Sequence, residues 1–368
     1  MRVLYLLRFD AGQKGGGDVI QINKYAGFVK GSGGDASFSS SLQPDARGYD
    51  LVHACNIDRP ETIFQVRSVA RDFPKTPILL TPIHHSNVQR REYERHGRRG
   101  ALRTVNALVP GYQFREALKF LVRGLRSRAL LPAALRFLTI RNPQQKIAAA
   151  ASVHLFASES ERNWCAEDYR IKPVRHEIFP NGIEEVAAYS LTETRDIDVI
   201  MTGRVESRKN QVAVLKALAG TGLKVCVVGA ENQSHQRYVA ELRDILAANP
   251  SFEYLGPKPH TETLALMSRS RVYISASWLE VMSLSDLEAF GAGCRVIASR
   301  HGSTHEVLGD LIRYVRPSSE EDIRAALDAE LSKRDPIDVQ ARHTILKRYL
   351  WSNLGDQLLQ IYQRELSA

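Results

Sequence analysis

Cysteine is scarce in this chain of 368 residues, and the four that occur stand far apart, without a C-x-x-C pair: Cys55, Cys165, Cys226 and Cys294. This spacing argues against a disulfide framework and a zinc site, and it fits a reducing compartment. Long apolar runs are also missing, since no stretch reaches the ~20 apolar residues that span a bilayer. The run Val3–Leu7 turns polar at Arg8, which favours a buried strand over a signal peptide. We therefore expect a cytoplasmic protein, either soluble or peripheral on the inner face of a membrane.

The formal charge of +9 is concentrated in one segment, residues 90–141. Thirteen Lys or Arg face three Glu there, which gives +10 and leaves −1 for the remainder. A local basic surface indicates a polyanionic partner: a membrane face, a phosphorylated acceptor or a nucleic acid. Phe114, Leu118, Leu121 and Leu125 recur at helical spacing beside basic residues. This pattern fits either a packed helix with a solvated cationic face or a helix that lies on an anionic membrane.

The organisation of the chain is that of an α/β protein. Hydrophobic residues make up 43% and charged residues 25%, and the length suits two globular domains. Strand-like runs alternate with helical patterns, which predicts parallel sheets with helices on both faces. Strands are predicted at 3–7, 50–54, 77–81, 153–157, 198–202, 224–228, 252–255, 272–275 and 295–298. The turn Pro180-Asn181-Gly182 separates two Rossmann-like halves, and ligands bind such sheets at the carboxyl ends of their strands.

The most specific motif is a pair of glutamates, Glu280 and Glu288, separated by seven residues. The first ends a loop after a predicted strand, and the second lies about one turn inside the following helix. The amino end of that helix offers unpaired N–H groups and partial positive charge, which suit a phosphate. The flanking glutamates can accept hydrogen bonds from the hydroxyls of a sugar or ribose. Alone, this spacing is also compatible with ordinary surface charge.

A second motif, Gly203-Arg204 with Lys209-Asn210, follows the first strand of the second half. Gly203 permits a close approach of the backbone to a ligand, and Arg204 and Lys209 can neutralise a diphosphate. Without a metal ion, a leaving diphosphate needs fixed donors of this kind. Read alone, the loop could be merely solvated.

Together these segments resemble the donor site of the retaining family-four glycosyltransferases, of the type that assembles bacterial surface polysaccharide. The resemblance covers nearly the whole chain. Its further motifs are Ala289 to Val296, Pro180-Asn181-Gly182-Ile183, Gly302 to Val307, Trp351 through Tyr362, and the glycine loop Gly15-Gly16-Gly17. It implies the GT-B fold, with two Rossmann-like domains that face each other across a cleft. The acceptor-binding domain would span 1–180, the nucleotide-sugar domain 181–345, and a C-terminal helix over 346–368 would cross back to the first domain.

The same resemblance implies a role for each matching residue. Arg204 and Lys209 would hold the diphosphate, Glu288 the ribose and Glu280 the transferred sugar. The remaining donor-side residues are Gly16 and Gly17 in the glycine loop, Gly203, Lys258 near the nucleobase, and the backbone amides of Met282, Ser283 and Leu284. Val281-Met282-Ser283 replaces the glycine-phenylalanine-glycine usual in the family, which leaves the identity of the sugar open.

Two further segments contain candidate chemistry. His84, at the end of the strand that closes with Thr81-Pro82, is the candidate to orient or deprotonate the acceptor, with His85 next to it. A loop histidine pair without a catalytic role is the alternative. His53 is expected to pack against the glycine loop. Asp196-Ile197-Asp198 resembles a D-x-D metal motif, but it precedes a strand instead of ending one, so neither a metal ion nor another cofactor is expected.

The predicted activity is glycosyl transfer from a UDP-, GDP- or TDP-linked sugar to a glycan or lipid-linked acceptor in polysaccharide or lipopolysaccharide assembly, with retention implied by the resemblance. A non-catalytic nucleotide-sugar-binding protein of the same fold is the alternative. A dehydrogenase is disfavoured because Gly15-Gly16-Gly17 is not a G-x-G-x-x-G loop. Nucleic-acid binding is disfavoured because the basic segment contains few aromatic residues.

Overall fold

In the computed structural model, the structure describes residues 1–9, 11, 17–98, 116–118, 120–122, 125, 131–185 and 195–367. These residues form two compact units. The first comprises Met1–Asn87, the described part of 108–181 and the chain from Trp351 onward. The second comprises the described part of 88–107 together with Gly182–Leu350, apart from residues 186–194.

The first unit contains a six-stranded parallel sheet in the order β2-β1-β3-β4-β5-β6. Its strands are β1 Arg2–Leu6, β2 Asp35–Ser39, β3 Leu51–Cys55, β4 Ile78–Thr81, β5 Val153–Phe156 and β6 His176–Ile178. Helices up to residue 181 include α1 Gly17–Gly31, α2 Pro60–Asp72, α3 Asn87–Glu92, α4 Leu131–Phe137, α5 Pro143–Ala150 and α6 Glu159–Tyr169. Successive residues of a strand point to opposite faces. Val3 and Tyr5 accordingly join one core cluster, and Leu4 and Leu6 join another.

The second unit contains another six-stranded parallel sheet, in the order β12-β11-β10-β7-β8-β9. Its strands are β7 Ile197–Thr202, β8 Val225–Val228, β9 Phe252–Gly256, β10 Ser270–Ile274, β11 Arg295–Ser299 and β12 Arg313–Val315. The following helices are α7 Gln211–Leu218, α8 Gln236–Ala247, α9 His260–Ser268, α10 Leu284–Gly291, α11 His305–Leu308, α12 Glu320–Ser332, α13 Val339–Leu346 and α14 Trp351–Leu366. This strand order is that of a doubly wound Rossmann sheet, whose direction of winding reverses between β7 and β10. The predicted architecture of two Rossmann-like units is confirmed.

Three strands were not predicted from the sequence: β2, β6 and β12. All three lie at sheet edges. They contain few consecutive apolar residues, and β6 and β12 have only three residues each. Edge strands face neighbours on one side only, so the buried-strand pattern that reveals the inner strands is weak in them.

Helix α14 belongs to the first unit, as predicted, and packs against α1. Its Tyr362 hydroxyl lies 2.6 Å from Nδ1 of His53, whose Nε2 lies 2.8 Å from the Thr81 hydroxyl. Burial lowers the pKa of His53 to about 3, so the ring is neutral and joins a buried hydrogen-bond network. His53 thus contacts the C-terminal helix, while Gly15 and Gly16 of the glycine loop lie outside the described residues.

Residues 88–98 differ from the predicted domain boundaries, because they lie in the second unit although they precede β5 of the first sheet. They comprise most of α3 and a π-helical turn, Tyr93–Gly97. Among the described residues, no helix is both long and apolar enough to pass through a bilayer.

Candidate active site

Four of the predicted donor residues, Gly203, Arg204, Lys209 and Glu280, lie in the loops that follow β7 and β10, which are neighbours in the second sheet. Gly203 follows β7 at once and has a φ of +118°. It lies so close to Gly229, at the end of β8, that a Cβ on Gly229 would come 2.0 Å from the Gly203 carbonyl oxygen. The two glycines let adjacent strand ends approach each other. The site therefore lies where the sheet changes its direction of winding, the usual ligand position in open α/β sheets.

Lys209 and Glu280 form an ion pair across these two loops. Lys209 ends a 3-10 turn, Ser207–Lys209, and the backbone N–H of Trp278 donates to the Arg208 carbonyl at 2.8 Å, which ties the loops together. Burial alone would raise the pKa of Glu280, but the positive charges of Lys209 and then Arg208 outweigh it, so the pKa is lowered. The structure thus brings together two residues that lie 71 positions apart in the sequence.

Arg204 is the most exposed cation of this loop, with 41% of its side chain accessible. Its guanidinium lies 3.9 Å from buried Glu206, which also pairs with Arg208 at 3.0 Å. Burial would raise the pKa of Glu206, yet Arg208, Asn232 and Arg204 together lower it. The Glu206 carboxylate therefore orients the guanidinium groups of Arg204 and Arg208, an arrangement that suits the binding of an anion by this loop.

Helix α10 begins beside Glu280, and its N-cap Ser283 accepts no hydrogen bond from the first turn. The Ser283 hydroxyl instead donates to Oδ1 of Asp286 at 2.8 Å, and Thr304 donates to Oδ2 at 3.0 Å. Asp286 is only 2% exposed. Burial, followed by the charge of Glu280, raises its pKa to about 7. Sequence reasoning missed Asp286, because an acid in the first turn of a helix is ordinary and only the structure shows that this one is buried.

The other predicted donor residues lie around this helix. Met282 and Ser283 are buried and Leu284 is half-buried. Glu288 lies within α10, where its Oε1 is 2.8 Å from Nε2 of His260, the first residue of α9. Lys258 lies 3.6 Å from Glu262. His260 was not predicted; it occupies one oxygen of the carboxylate predicted to bind the ribose.

The structure encloses His84, the predicted acceptor residue. The ring lies inside the first unit with 0% exposure, and its Nδ1 and Nε2 lie 2.9 Å from Asp58 and 3.0 Å from Asp168. The backbone N–H of His84 donates to buried Glu161 at 2.7 Å. Because both ring nitrogens are held by carboxylates, the imidazole cannot receive a proton from an acceptor without breaking this cluster. His85 is half-buried, and the loop before it contains Ile83, a β-branched residue with a φ of +50°, which is a strained conformation of the kind found near functional sites.

In the glycine loop, Gly17 begins α1, whereas Gly16 lies outside the described residues. Asp196 and Asp198 stand at the start of β7, where Asp196 pairs with Arg269 and Lys224, and Asp198 with Arg271. The interpretation of this segment as the lead-in to a strand is thus confirmed.

Residues 183–344 match the sequence profile of the family described as glycosyl transferases group 1. This part of the second unit is therefore similar to the group 1 glycosyl transferases. Both predicted donor loops, 203–210 and 280–288, fall within the matched range. The match bears out the predicted resemblance at the level of group 1 glycosyl transferases.

A curated relative is a phosphatidylinositol N-acetylglucosaminyltransferase protein of Arabidopsis thaliana, which is 22% identical over 210 residues. The match covers 54% of this chain and 46% of that protein, so the chain spans about half the length of the curated relative.

Solved structures show the fold across the whole chain. Sucrose-phosphate synthase of Thermosynechococcus elongatus has a TM-score of 0.73 at 13% identity, covering 100% of this chain and 99% of that one. HepE of Anabaena, solved with UDP, has a TM-score of 0.67 at 14% identity, covering 99% and 100%. At these identities the likeness shows the fold alone, and it confirms the predicted α/β, GT-B class.

Proposed function

We propose that this chain is a retaining glycosyltransferase that moves a sugar from a nucleoside diphosphate to a glycan or lipid-linked acceptor. The observation that carries the proposal is the Lys209–Glu280 pair at the switch point of the second sheet, with Arg204 exposed beside it. This arrangement joins Lys209 to a carboxylate in the loop that leads into α10, and a second cation, Arg204, belongs to the same loop as Lys209. HepE, which shares the fold, was solved with UDP, and this supports a nucleotide diphosphate as the leaving group.

In the proposed complex, Lys209 and Arg204 bind the diphosphate, and the first amides of α10 bind its distal phosphate. Glu280, released from Lys209, accepts hydrogen bonds from the hydroxyls of the transferred sugar. Glu288 exchanges His260 for the ribose hydroxyls. Each carboxylate is therefore paired with a cation or histidine until the ligand takes that place.

In the reaction, the bond between the anomeric carbon and the diphosphate oxygen breaks while a bond from the acceptor oxygen forms on the same face of the sugar. The acceptor proton passes to the leaving diphosphate oxygen. The protein contributes position and fixed charge, which stabilise the negative charge that develops on the diphosphate. We propose that the cationic side chains provide this stabilisation without a metal ion.

On the acceptor side, we propose that His85, in place of His84, orients or deprotonates the acceptor. We also propose that the protein binds to a membrane through residues 90–141. Ala117 and Phe120 are buried, whereas Leu118 and Leu125 are exposed, Leu125 by 66%. Exposed Arg136 and Arg141 follow in the sequence. An apolar surface near cationic residues suits the interface of an anionic bilayer, where a lipid-linked intermediate of polysaccharide or lipopolysaccharide assembly would be found. We accordingly propose that the protein acts on the cytoplasmic face of a membrane.

The donor assignment is tested by thermal-shift measurements with UDP, GDP, TDP and their sugars, followed by transfer assays on Glu280→Ala. We expect one nucleotide to stabilise the wild type and the variant alike. Transfer by Glu280→Ala should fall by about 10- to 100-fold, the effect of one hydrogen bond to a charged group. Glu241→Ala, which removes the exposed partner of Lys216 in the same unit, is the matched control. Full transfer by Glu280→Ala would remove that residue from the site.

The alternative, a nucleotide-sugar-binding protein without catalysis, predicts stabilisation by a sugar nucleotide but no transfer to any acceptor. Liposome flotation tests the membrane proposal separately. Vesicles of phosphatidylcholine with about 30% phosphatidylglycerol, which gives the surface a negative charge, should bind more of the protein than vesicles of pure phosphatidylcholine do. Equal binding to the two vesicles would contradict it.

A further inference from the structure

Residues 88–98, here named the strap, belong to the second unit although they lie outside the matched range 183–344. The strap continues the chain beyond the strained Ile83 loop of the first unit. It consists of the end of α3 and the π-helical turn Tyr93–Gly97. Within the second unit it contacts the three loops that contain or adjoin the proposed donor residues.

The first contact is a hydrogen bond between buried hydroxyls. The Tyr93 hydroxyl lies 2.7 Å from that of Ser207, and Tyr93 and Ser207 are 7% and 3% exposed. Ser207 opens the short turn that ends at Lys209, and its hydroxyl also lies 3.2 Å from Nδ1 of His235. Tyr93 therefore fixes the first residue of the turn whose last residue forms the pair with Glu280.

The second contact is a close approach of backbone to indole. A Cβ on Gly97 would lie 2.6 Å from Nε1 of Trp278, so the strap has room for no larger residue there. Trp278 stands two residues before Glu280, and its own backbone N–H donates to Arg208. The strap therefore packs against Trp278, the residue that connects the Lys209 turn to the Glu280 loop.

The third contact joins the strap to the backbone of Glu280 and to the loop that contains His301 and Gly302. Glu92 lies 3.0 Å from Nε2 of His301. The side-chain amide of Gln89 lies 3.1 Å from the Glu280 carbonyl oxygen and 3.2 Å from the Gly302 nitrogen. Three loops that are distant in sequence are therefore held by one short continuous segment, which contacts the loops and not the proposed reacting groups.

We propose that Tyr93 is a positioning residue. It acts through Ser207 on Lys209, the residue proposed to bind the donor diphosphate. This inference rests on the proposed function. The hydroxyl pair holds the Ser207–Lys209 turn in the geometry that aims the Lys209 ammonium at the diphosphate. Without the Tyr93 hydroxyl, Lys209 is still present but the turn can shift. The contact between Lys209 and its phosphate is therefore weakened, whereas the contacts with the nucleoside are unchanged.

The test is the affinity of Tyr93→Phe for a nucleoside diphosphate and for the matching monophosphate, measured by calorimetry with whichever of UDP, GDP and TDP binds the wild type. Removal of one hydrogen bond predicts a loss of about 3- to 10-fold for the diphosphate. The monophosphate should change by less than about twofold, because its binding uses the ribose and base contacts. Tyr349→Phe is the matched control, since Tyr349 is also 7% exposed in the second unit and should leave both affinities unchanged.

A double-mutant cycle with Ser207→Ala supplies a second readout. If the two hydroxyls act as one unit, the double variant should lose no more diphosphate affinity than Tyr93→Phe alone. Equal losses for diphosphate and monophosphate would mean that Tyr93 is merely structural, and an unchanged diphosphate affinity would overturn the proposal outright. A wild type that binds no nucleoside diphosphate would instead defeat the proposed function, so the two failures are distinguishable.

Discussion

The two units each contain a cluster of acids and bases just beyond a strand end, but the clusters differ in exposure. In the first unit, His84 is enclosed by Asp58, Asp168 and Glu161, and its side chain is 0% exposed. In the second unit, the Lys209 and Glu280 side chains remain 22% and 14% exposed, and Arg204 is more exposed still. The same residue types therefore serve different purposes.

Burial explains the difference. The His84 ring and Asp58 are buried, and separating them would leave an uncompensated charge in a medium of low polarity, so the His84 cluster holds its geometry. A partly exposed pair can exchange one partner for a ligand of the same charge at small cost, since water screens the intermediate state. Of the two clusters, only the Lys209–Glu280 pair is arranged for exchange.

The largest expected effect is on stability, in the first unit. His84→Ala should lower the free energy of unfolding by about 3–5 kcal/mol, because it leaves buried Asp58 and partly buried Asp168 without their common partner. Urea unfolding followed by circular dichroism measures this loss. His85→Ala, which changes the half-buried neighbour, is the control and should cost much less. A stable His84→Ala protein that has lost transfer would reverse the comparison and restore a catalytic role to His84.

The next effect is on activity, in the second unit. Lys209→Ala should lower kcat by about 100- to 1,000-fold, as the loss of one fixed donor to developing negative charge does in other enzymes. Steady-state kinetics measure this change. The unfolding free energy should remain close to that of wild type because the pair is partly exposed. Lys216→Ala, a change on the exposed face of α7, should alter neither quantity. A Lys209→Ala protein that unfolds easily would show that the pair is structural after all.

The inner strands could be predicted from the sequence because their patterns are local, and the two predicted donor motifs do meet in the structure through Lys209 and Glu280. Runs such as Val225–Val228 are apolar throughout and completely buried, and the glycines and charged residues of the donor loops follow such runs directly. His84 and His85 show the limit of this reasoning. The two histidines are adjacent in the same loop, and only the three-dimensional structure shows that the first turns inward.

The strap and Asp286 could not be predicted for a related reason. Helical spacing identifies α3 but does not say which unit it packs against, and Tyr93 meets Ser207 across 114 positions of sequence. Asp286 looks like an ordinary acid in the first turn of a helix, where negative charge is favourable. Its burial depends on Thr304, which belongs to a loop beyond the next strand.

The smallest effect concerns pH and compares one buried acid from each unit. The pKa values of Asp286 and Glu161 are raised to about 7, in both cases mainly by burial. Between about pH 4 and 7 the folded state therefore retains protons that the unfolded chain has released. The free energy of unfolding should consequently fall as pH rises, by at most about 1.4 kcal/mol per pH unit for each acid. The charge of Glu280 also raises the pKa of Asp286, whereas its hydrogen bonds with Ser283 and Thr304 and the charge of Lys209 lower it.

Asp286→Asn and Glu161→Gln should each remove one part of this slope, because each replaces a titrating carboxyl by an amide of similar shape. Urea unfolding at about pH 4.5, 5.5 and 6.5, values that lie within that window, measures the slope. If Asp286→Asn left the slope unchanged while Glu161→Gln flattened it, then the Asp286 carboxyl would be ionised throughout, and of these two acids only the one in the first unit would titrate near neutral pH.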